Sequence, residues 1–191
     1  MLFLVRHGEA TANVRGVLLG RADVPLTARG RTQAAALRSQ VATATAVVSS
    51  PLVRAVATAE ALRLDAPVML DSRWIELDYG EHEGTSPGEL PENLWRRWRA
   101  DAAYCPPGGE SLADVGARVR SACEELFAPD GSARQGDVVV VSHVSPIKAA
   151  VAWALGAGDE VAWRMHLSTG SMTTVGWGPG VPLLHAFNVV P

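Results

Sequence analysis

Lysine is nearly missing from this chain: Lys148 is the only one among seventeen basic residues, so arginine carries almost all the positive charge. Arginine's planar fork suits bidentate contact with phosphate or carboxylate, which points to a locally positive site in a chain of net charge −3. No basic tract is present, which argues against nucleic acid or an anionic membrane surface as partner. Cysteine is scarce as well. Cys105 and Cys123 have neither CxxC nor zinc-finger spacing, and two cysteines do not staple a chain of 191 residues. No apolar run reaches membrane-spanning length, and the run from Met1 to Val5 is too short for a signal peptide before the charged groups that follow. These shortages predict a soluble cytoplasmic protein. Repeats and low-complexity segments are also missing, and a content of 48% hydrophobic residues predicts one folded domain over 1–191.

What is there is an alternation of apolar runs with helical periods. The run ending at Val5 delivers Arg6-His7-Gly8-Glu9 where a buried strand ends, the place where open α/β sheets do chemistry. Residues 137–142 deliver His143 in the same way, and two such deliveries point to one site. Between them, Thr27 is placed to N-cap a helix over 28–37, a helix that Gly30 weakens. Residues 45–49 read as a strand. Ser50-Pro51 then reads as an N-cap with proline at the first helical position, which puts Arg54 in the first helical turn. A short strand is predicted over 67–70, with helices over 86–101 and 110–127 and a break at Pro106-Pro107-Gly108-Gly109. Ser145-Pro146 opens another helix, and 172–177 with 183–189 form a hairpin around Gly178-Pro179-Gly180. Strands alternating with helices predict an α/β fold: a three-layer sandwich with a mostly parallel central sheet and helices on both faces. Residues 78–109 are the candidate small cap over the site.

The motifs fall in an order that resembles the histidine phosphatase superfamily, also called phosphoglycerate mutase-like. They are Arg6-His7-Gly8-Glu9 with Asn13, then Gly20, Asp23, Pro25-Leu26-Thr27, Gly30 and Gln33-Ala34; Ser49-Ser50-Pro51-Leu52-Val53-Arg54-Ala55 with Thr58-Ala59; Glu76 ahead of Tyr79-Gly80 and Glu83-Gly84; Pro107-Gly108-Gly109-Glu110-Ser111; and Val141-Ser142-His143. The resemblance implies that His7 attacks phosphorus and carries the phosphoryl group. It implies that Glu76 protonates the leaving alkoxide and later deprotonates water. Arg6, Arg54 and His143 complete the implied catalytic set, and Asn13, Gly20, Tyr79 and the helix-start amide at Val144 help hold phosphate and substrate. Charge-assisted hydrogen bonds supply the binding, two nearby arginines favour a neutral imidazole, and no metal or cofactor is implied.

Several residues carry open readings. Asp78, Glu81 and Glu83 compete locally with Glu76, and motif position favours Glu76. His82, His166 and His185 lack the strand-end setting and receive no role. Trp95 and Trp98 read as core packing ahead of an acceptor pocket, and Arg96, Arg97 and Arg99 as a solvated face. Against the family pattern, Ala10 stands where Ser or Thr is common, Leu19 stands where a small polar residue or Gln precedes the glycine, and Leu77-Asp78 replaces the basic pair of the glycolytic mutases. These departures bear on the substrate more than on phosphoryl transfer. The leading expectation is a metal-independent phosphatase of a small phosphorylated metabolite. A mutase-type isomerase is the runner-up, followed by an idle phosphate-binding module and by metal-dependent hydrolysis, while the oligomeric state is left open.

Overall fold

The two apolar runs lie side by side at the centre of one sheet. A computed structural model, describing residues 1–191, gives the order β1 (Leu2–Arg6), α1 (Thr11–Val14), α2 (Ala28–Ala36), β2 (Ala44–Ser49), α3 (Val53–Ala61), β3 (Val68–Leu70), α4 (Glu92–Ala100), α5 (Leu112–Leu126), α6 (Ser132–Gln135), β4 (Asp137–Ser142), α7 (Val144–Leu155), β5 (Met172–Trp177) and β6 (Pro182–Val189). The six strands are arranged β3-β2-β4-β1-β5-β6. The first four run parallel, and β5 and β6 add an antiparallel hairpin at one edge. The fold is therefore mixed α/β with a mostly parallel sheet, as the alternation of elements predicts.

Side chains alternate across the sheet, which explains why β1 and β4 read as unbroken apolar runs. Leu2, Leu4, Val138 and Val140 enter one core, closed by Val115 and Val119 of α5 and Ile147 of α7. Val5, Val139 and Val141 enter the other, closed by Leu37 after α2 and by Ala55 and Ala59 of α3. Both faces are covered, so no position on the central strands is free to be polar until the strands end.

Helix starts differ from the sequence reading in instructive ways. Thr27 does cap α2, its hydroxyl accepting from the Gly30 amide at 3.0 Å. Ser50 does not cap α3, which begins at Val53; the Val53 amide donates instead to the Asp23 carboxylate at 2.7 Å, a cap supplied from thirty residues away. For α7 the N-cap position is His143 rather than Ser145, and Pro146 lies inside the first turn, where its missing N–H costs nothing. The helix expected over 86–101 is split: Pro87–Glu89 forms a 3-10 turn, Leu90 is extended before Pro91, and α4 begins at Glu92. The helix expected from Glu110 begins at Leu112, with Ser111 and Asp114 forming a capping box. The short helices α1 and α6 and the 3-10 segment Asp159–Arg164 have no periodic signal and were not expected.

Gly30 has a reason beyond helix propensity. A Cβ there would fall on the main chain of Glu9, and a Cβ on Gly8 would fall on the Gly30 carbonyl, so α2 and the loop after β1 pack backbone to backbone. Helix propensity alone would make Gly30→Ala stabilising by about 1 kcal/mol. We expect the opposite sign, a loss of about 1–3 kcal/mol from overpacking against unyielding backbone, read as a lower denaturation midpoint in urea with an unchanged slope. A raised midpoint would overturn this account.

Candidate active site

Three neighbouring parallel strands end at one level, and the site is built on their ends. Arg6 of β1 pairs in register with Ser142 of β4, so His7 and His143 emerge side by side, with ring centroids 5.1 Å apart. β2 ends at Ser49 beside Val141, which brings Ser50 and then α3 with Arg54 to the same place. His7, Arg54, Glu76 and His143 are all buried, none more than 3% exposed.

Hydrogen bonds fix the state of both imidazoles. His7 Nδ1 lies 2.7 Å from the Gly8 carbonyl, which can only accept, so the proton sits on Nδ1 and the lone pair on Nε2. Burial is the main cause holding its pKa well below the ordinary value, reinforced by the charges of Arg6 and Arg54. His143 accepts from Arg54 Nε at its Nδ1 (3.2 Å), which leaves its Nε2–H to donate to Ser50 Oγ at 2.7 Å. Burial also holds His143 neutral, with His7 and the two arginines adding to the effect.

The two arginines are held differently. Arg54 donates to His143, to the Ala22 carbonyl at 2.8 Å and to the Gly20 carbonyl at 2.6 Å, using three of its five N–H donors. Arg6 donates through one terminal nitrogen to the Leu167 carbonyl, and its buried Nε has no partner. Burial lowers the Arg6 pKa to about 10 and, to a lesser extent, that of Arg54. The Glu76 carboxyl group accepts from the amides of Leu77 (2.8 Å), Ser145 (3.1 Å) and Val144 (3.0 Å), which fix it at the start of α7.

A cavity of about 130 Å³ brings Arg6, His7, Asn13, Glu76, Tyr79 and Val144 together. Arg54, Gly20 and His143 stand behind this wall rather than in it. Asn13 accepts the Ala10 amide with Oδ1 at 2.8 Å, so its NH₂ is the part left to donate elsewhere. The Val144 amide is taken by Glu76, and the Gly20 amide by Glu83 at 2.9 Å. Burial and the nearby Glu76 push the Tyr79 phenol up, keeping it protonated. Among the competitors of Glu76, Asp78 pairs with Arg21, and Glu83 accepts the Gly20 and Arg21 amides. Of the tryptophans, Trp98 is fully buried in the core, as the packing reading has it, whereas Trp95 lines a second cavity beside the first. No group of three or more His, Cys, Asp or Glu side chains converges as metal ligands would.

Sequence reasoning missed three supporting residues. Ser50 orients His143; Thr58 receives the Gly8 amide at 3.1 Å while donating to the Arg54 carbonyl; Asp23 caps α3. Ser50, Thr58 and Asp23 all lie inside the quoted motifs, so their position was visible, but their partners are remote in sequence and were not.

Two histidines buried neutral make stability fall in acid. Their folded pKa values lie below the unfolded value of about 6.5, so below that pH only the unfolded chain takes up the protons. We expect unfolding free energy to be flat above pH 7 and to drop by up to about 1.4 kcal/mol per pH unit per histidine as pH falls below about 6.5. Urea titrations of the protein and of His143→Gln between pH 5 and 8 test this; an equal slope for both would remove His143 from the account.

A family model described as histidine phosphatase superfamily (branch 1) matches residues 2–190. A bifunctional protein of Mycobacterium tuberculosis is 39% identical over 182 residues, covering 90% of this chain and 49% of its own length, so the chain spans about half of that relative. Glucosyl-3-phosphoglycerate phosphatase of the same species is 33% identical, with 89% of this chain and 87% of the relative covered. Among solved structures, phosphoserine phosphatase from Entamoeba histolytica in complex with 3-phosphoglyceric acid superposes with a TM-score of 0.90 at 27% identity, covering 99% of this chain and 96% of the other. With its paired strand-end histidines, its buried Arg54 beside Arg6 and a match along nearly its whole length, this chain belongs to the histidine phosphatase superfamily.

Proposed function

We propose that the chain is a metal-independent phosphatase of small phosphomonoesters, working through a phosphohistidine on His7. The observation that carries this reading is the Nδ1–H bond from His7 to the Gly8 carbonyl, which holds the Nε2 lone pair in a pocket whose charge comes from guanidinium groups. The phosphate dianion binds to the free N–H groups of Arg6 and to the Asn13 NH₂, and Arg54, behind the pocket wall, adds its positive charge to the site. His7 Nε2 attacks phosphorus in line as the ester P–O bond breaks, and Glu76 gives a proton to the departing alkoxide. Glu76 then takes a proton from water, the hydroxide attacks phosphorus, the P–N bond breaks, and inorganic phosphate leaves. His143 and Gly20 act in this scheme by holding Arg54, and Val144 by holding Glu76.

The named relatives that act on phosphoserine and glucosyl-3-phosphoglycerate support hydrolysis of small phosphorylated metabolites. Mutase-type transfer is the lesser reading, because the stretch where the glycolytic mutases carry a basic pair holds Leu77 and Asp78, and Asp78 is committed to Arg21. Residues 78–109 serve as the cap, lending Tyr79 to the reactive cavity. A reducing cytoplasm suits two unpaired cysteines, one of them exposed.

Rapid quench after mixing with a labelled phosphomonoester should trap acid-labile phosphate on His7. His7→Ala should lower kcat/KM by about 10⁴-fold or more, and Glu76→Gln by about 10²–10⁴-fold with alkyl esters. With an ester of an acidic phenol, Glu76→Gln should release one equivalent of phenolate quickly and then turn over slowly. Phosphate release without label on His7 would refute the covalent route, and isomerised product without free phosphate, in the presence of bisphosphoglycerate, would reverse the order of phosphatase and mutase.

A further inference from the structure

Beside the reactive pocket lies a second cavity of about 110 Å³, and the two share Leu18, Tyr79 and Val144 as a common wall. Its other faces are mainly apolar, with Leu77, Leu112, Trp95 and Trp163 turned toward it. Trp163 comes from the 3-10 segment Asp159–Arg164 and meets Trp95 edge to face at 6.0 Å, which makes a rigid aromatic corner. Lys148 lines the same cavity from α7, one turn after Val144. The ammonium of the chain's single lysine has neither an ion pair nor a hydrogen-bond partner, and its half-burial lowers its pKa. A cavity of about 150 Å³ holds a benzene ring, so about 110 Å³ opening on the reactive pocket is on the scale of one ring or a short branched chain.

We propose that this cavity is the leaving-group subsite, and that it selects phosphomonoesters whose alcohol is apolar, about the size of one ring, and carries a carboxylate. The ring or chain packs on Trp95 and Trp163, and the carboxylate meets Lys148. This rests on the phosphatase reading above and adds the class of substrate. Serine or glycerate as leaving group would satisfy Lys148 but leave the tryptophan corner wet. A plain aryl or alkyl group would cover the corner and leave the ammonium unpaired in an apolar wall. The departures agree with this choice: Leu19, where the family usually has a small polar residue or Gln, lines the reactive pocket, and Leu77, where the glycolytic mutases carry a basic residue, lines the second cavity.

The test compares phenyl phosphate, carboxyphenyl phosphates and phosphoserine on the protein and on Lys148→Met, Lys148→Arg and Trp163→Ala. We expect kcat/KM for the better carboxyphenyl isomer to exceed that for phenyl phosphate by about tenfold or more, the scale of one hydrogen bond to a charged group. Lys148→Met should bring that ratio close to one, and Lys148→Arg should restore part of it. Trp163→Ala should lower both aryl esters relative to phosphoserine. In parallel, calorimetry on His7→Ala with the carboxyphenyl ester should show Kd rising about tenfold when Lys148→Met is added. That rise without any turnover by the intact protein would keep the subsite and sink the phosphatase reading. An unchanged Kd and an unchanged ester ratio, with turnover intact, would sink the subsite and keep the phosphatase.

Discussion

A guanidinium buried beside a second one is the constraint around which this structure is arranged. Arg54 is 0% exposed, and its protein partners are an imidazole and two main-chain carbonyls, none of which cancels its charge. Removing a cation from water costs several kcal/mol unless its donors are satisfied. The 20–25 loop is accordingly folded back to offer the Gly20 and Ala22 carbonyls, and Asp23 in that loop caps the helix on which Arg54 rides. Burial keeps His7 unprotonated, and the positive potential that attracts phosphate reinforces it. The charge that recruits the substrate therefore also helps to keep the nucleophile free.

Where the chain departs from its family, it does so in the walls rather than at this centre. Ala10 has no hydroxyl, and the Asn13 side-chain oxygen takes the Ala10 amide in a one-sided capping arrangement, so the orientation of Asn13 survives the loss. Leu18 and Leu19 face the reactive pocket from the same excursion of chain. Arg6, His7, Asn13 and Glu76 are kept in the reactive pocket while leucine stands in its wall at 18 and 19, so the reacting groups and the lining can vary separately.

How far the sequence could be read depended on whether the signal was local. Continuous apolar runs located β1 and β4 because both faces of those strands are buried, and a histidine following each run marked the level of the site. Thr27 was legible as a cap because its acceptor geometry involves only the next three residues. Ser50 looked identical by the same rule and yet bonds to His143, since a competing imidazole stood within reach after folding. The break before Pro91 split a helix whose tryptophan spacing read as continuous. Lys148 was conspicuous only by rarity, and Trp163 lies in a 3-10 segment with no period to reveal it, so the second cavity was invisible before the fold brought its walls together.

Thr27 closes a small clasp: its amide donates to the Glu9 carbonyl at 2.9 Å, its hydroxyl to the Glu9 carboxylate at 2.8 Å, and Ala10 bridges to Leu26 just inside. The excursion between these pins carries Asn13, Leu18 and Leu19 to the pocket. Within it, Asn13 and the 20–23 turn are tied to the phosphate pocket and to Arg54, while residues 14–19 run between them. Descendants of this chain can exchange that short middle stretch, as one would change the jaws of a wrench, and inherit a new appetite for esters with the handle untouched.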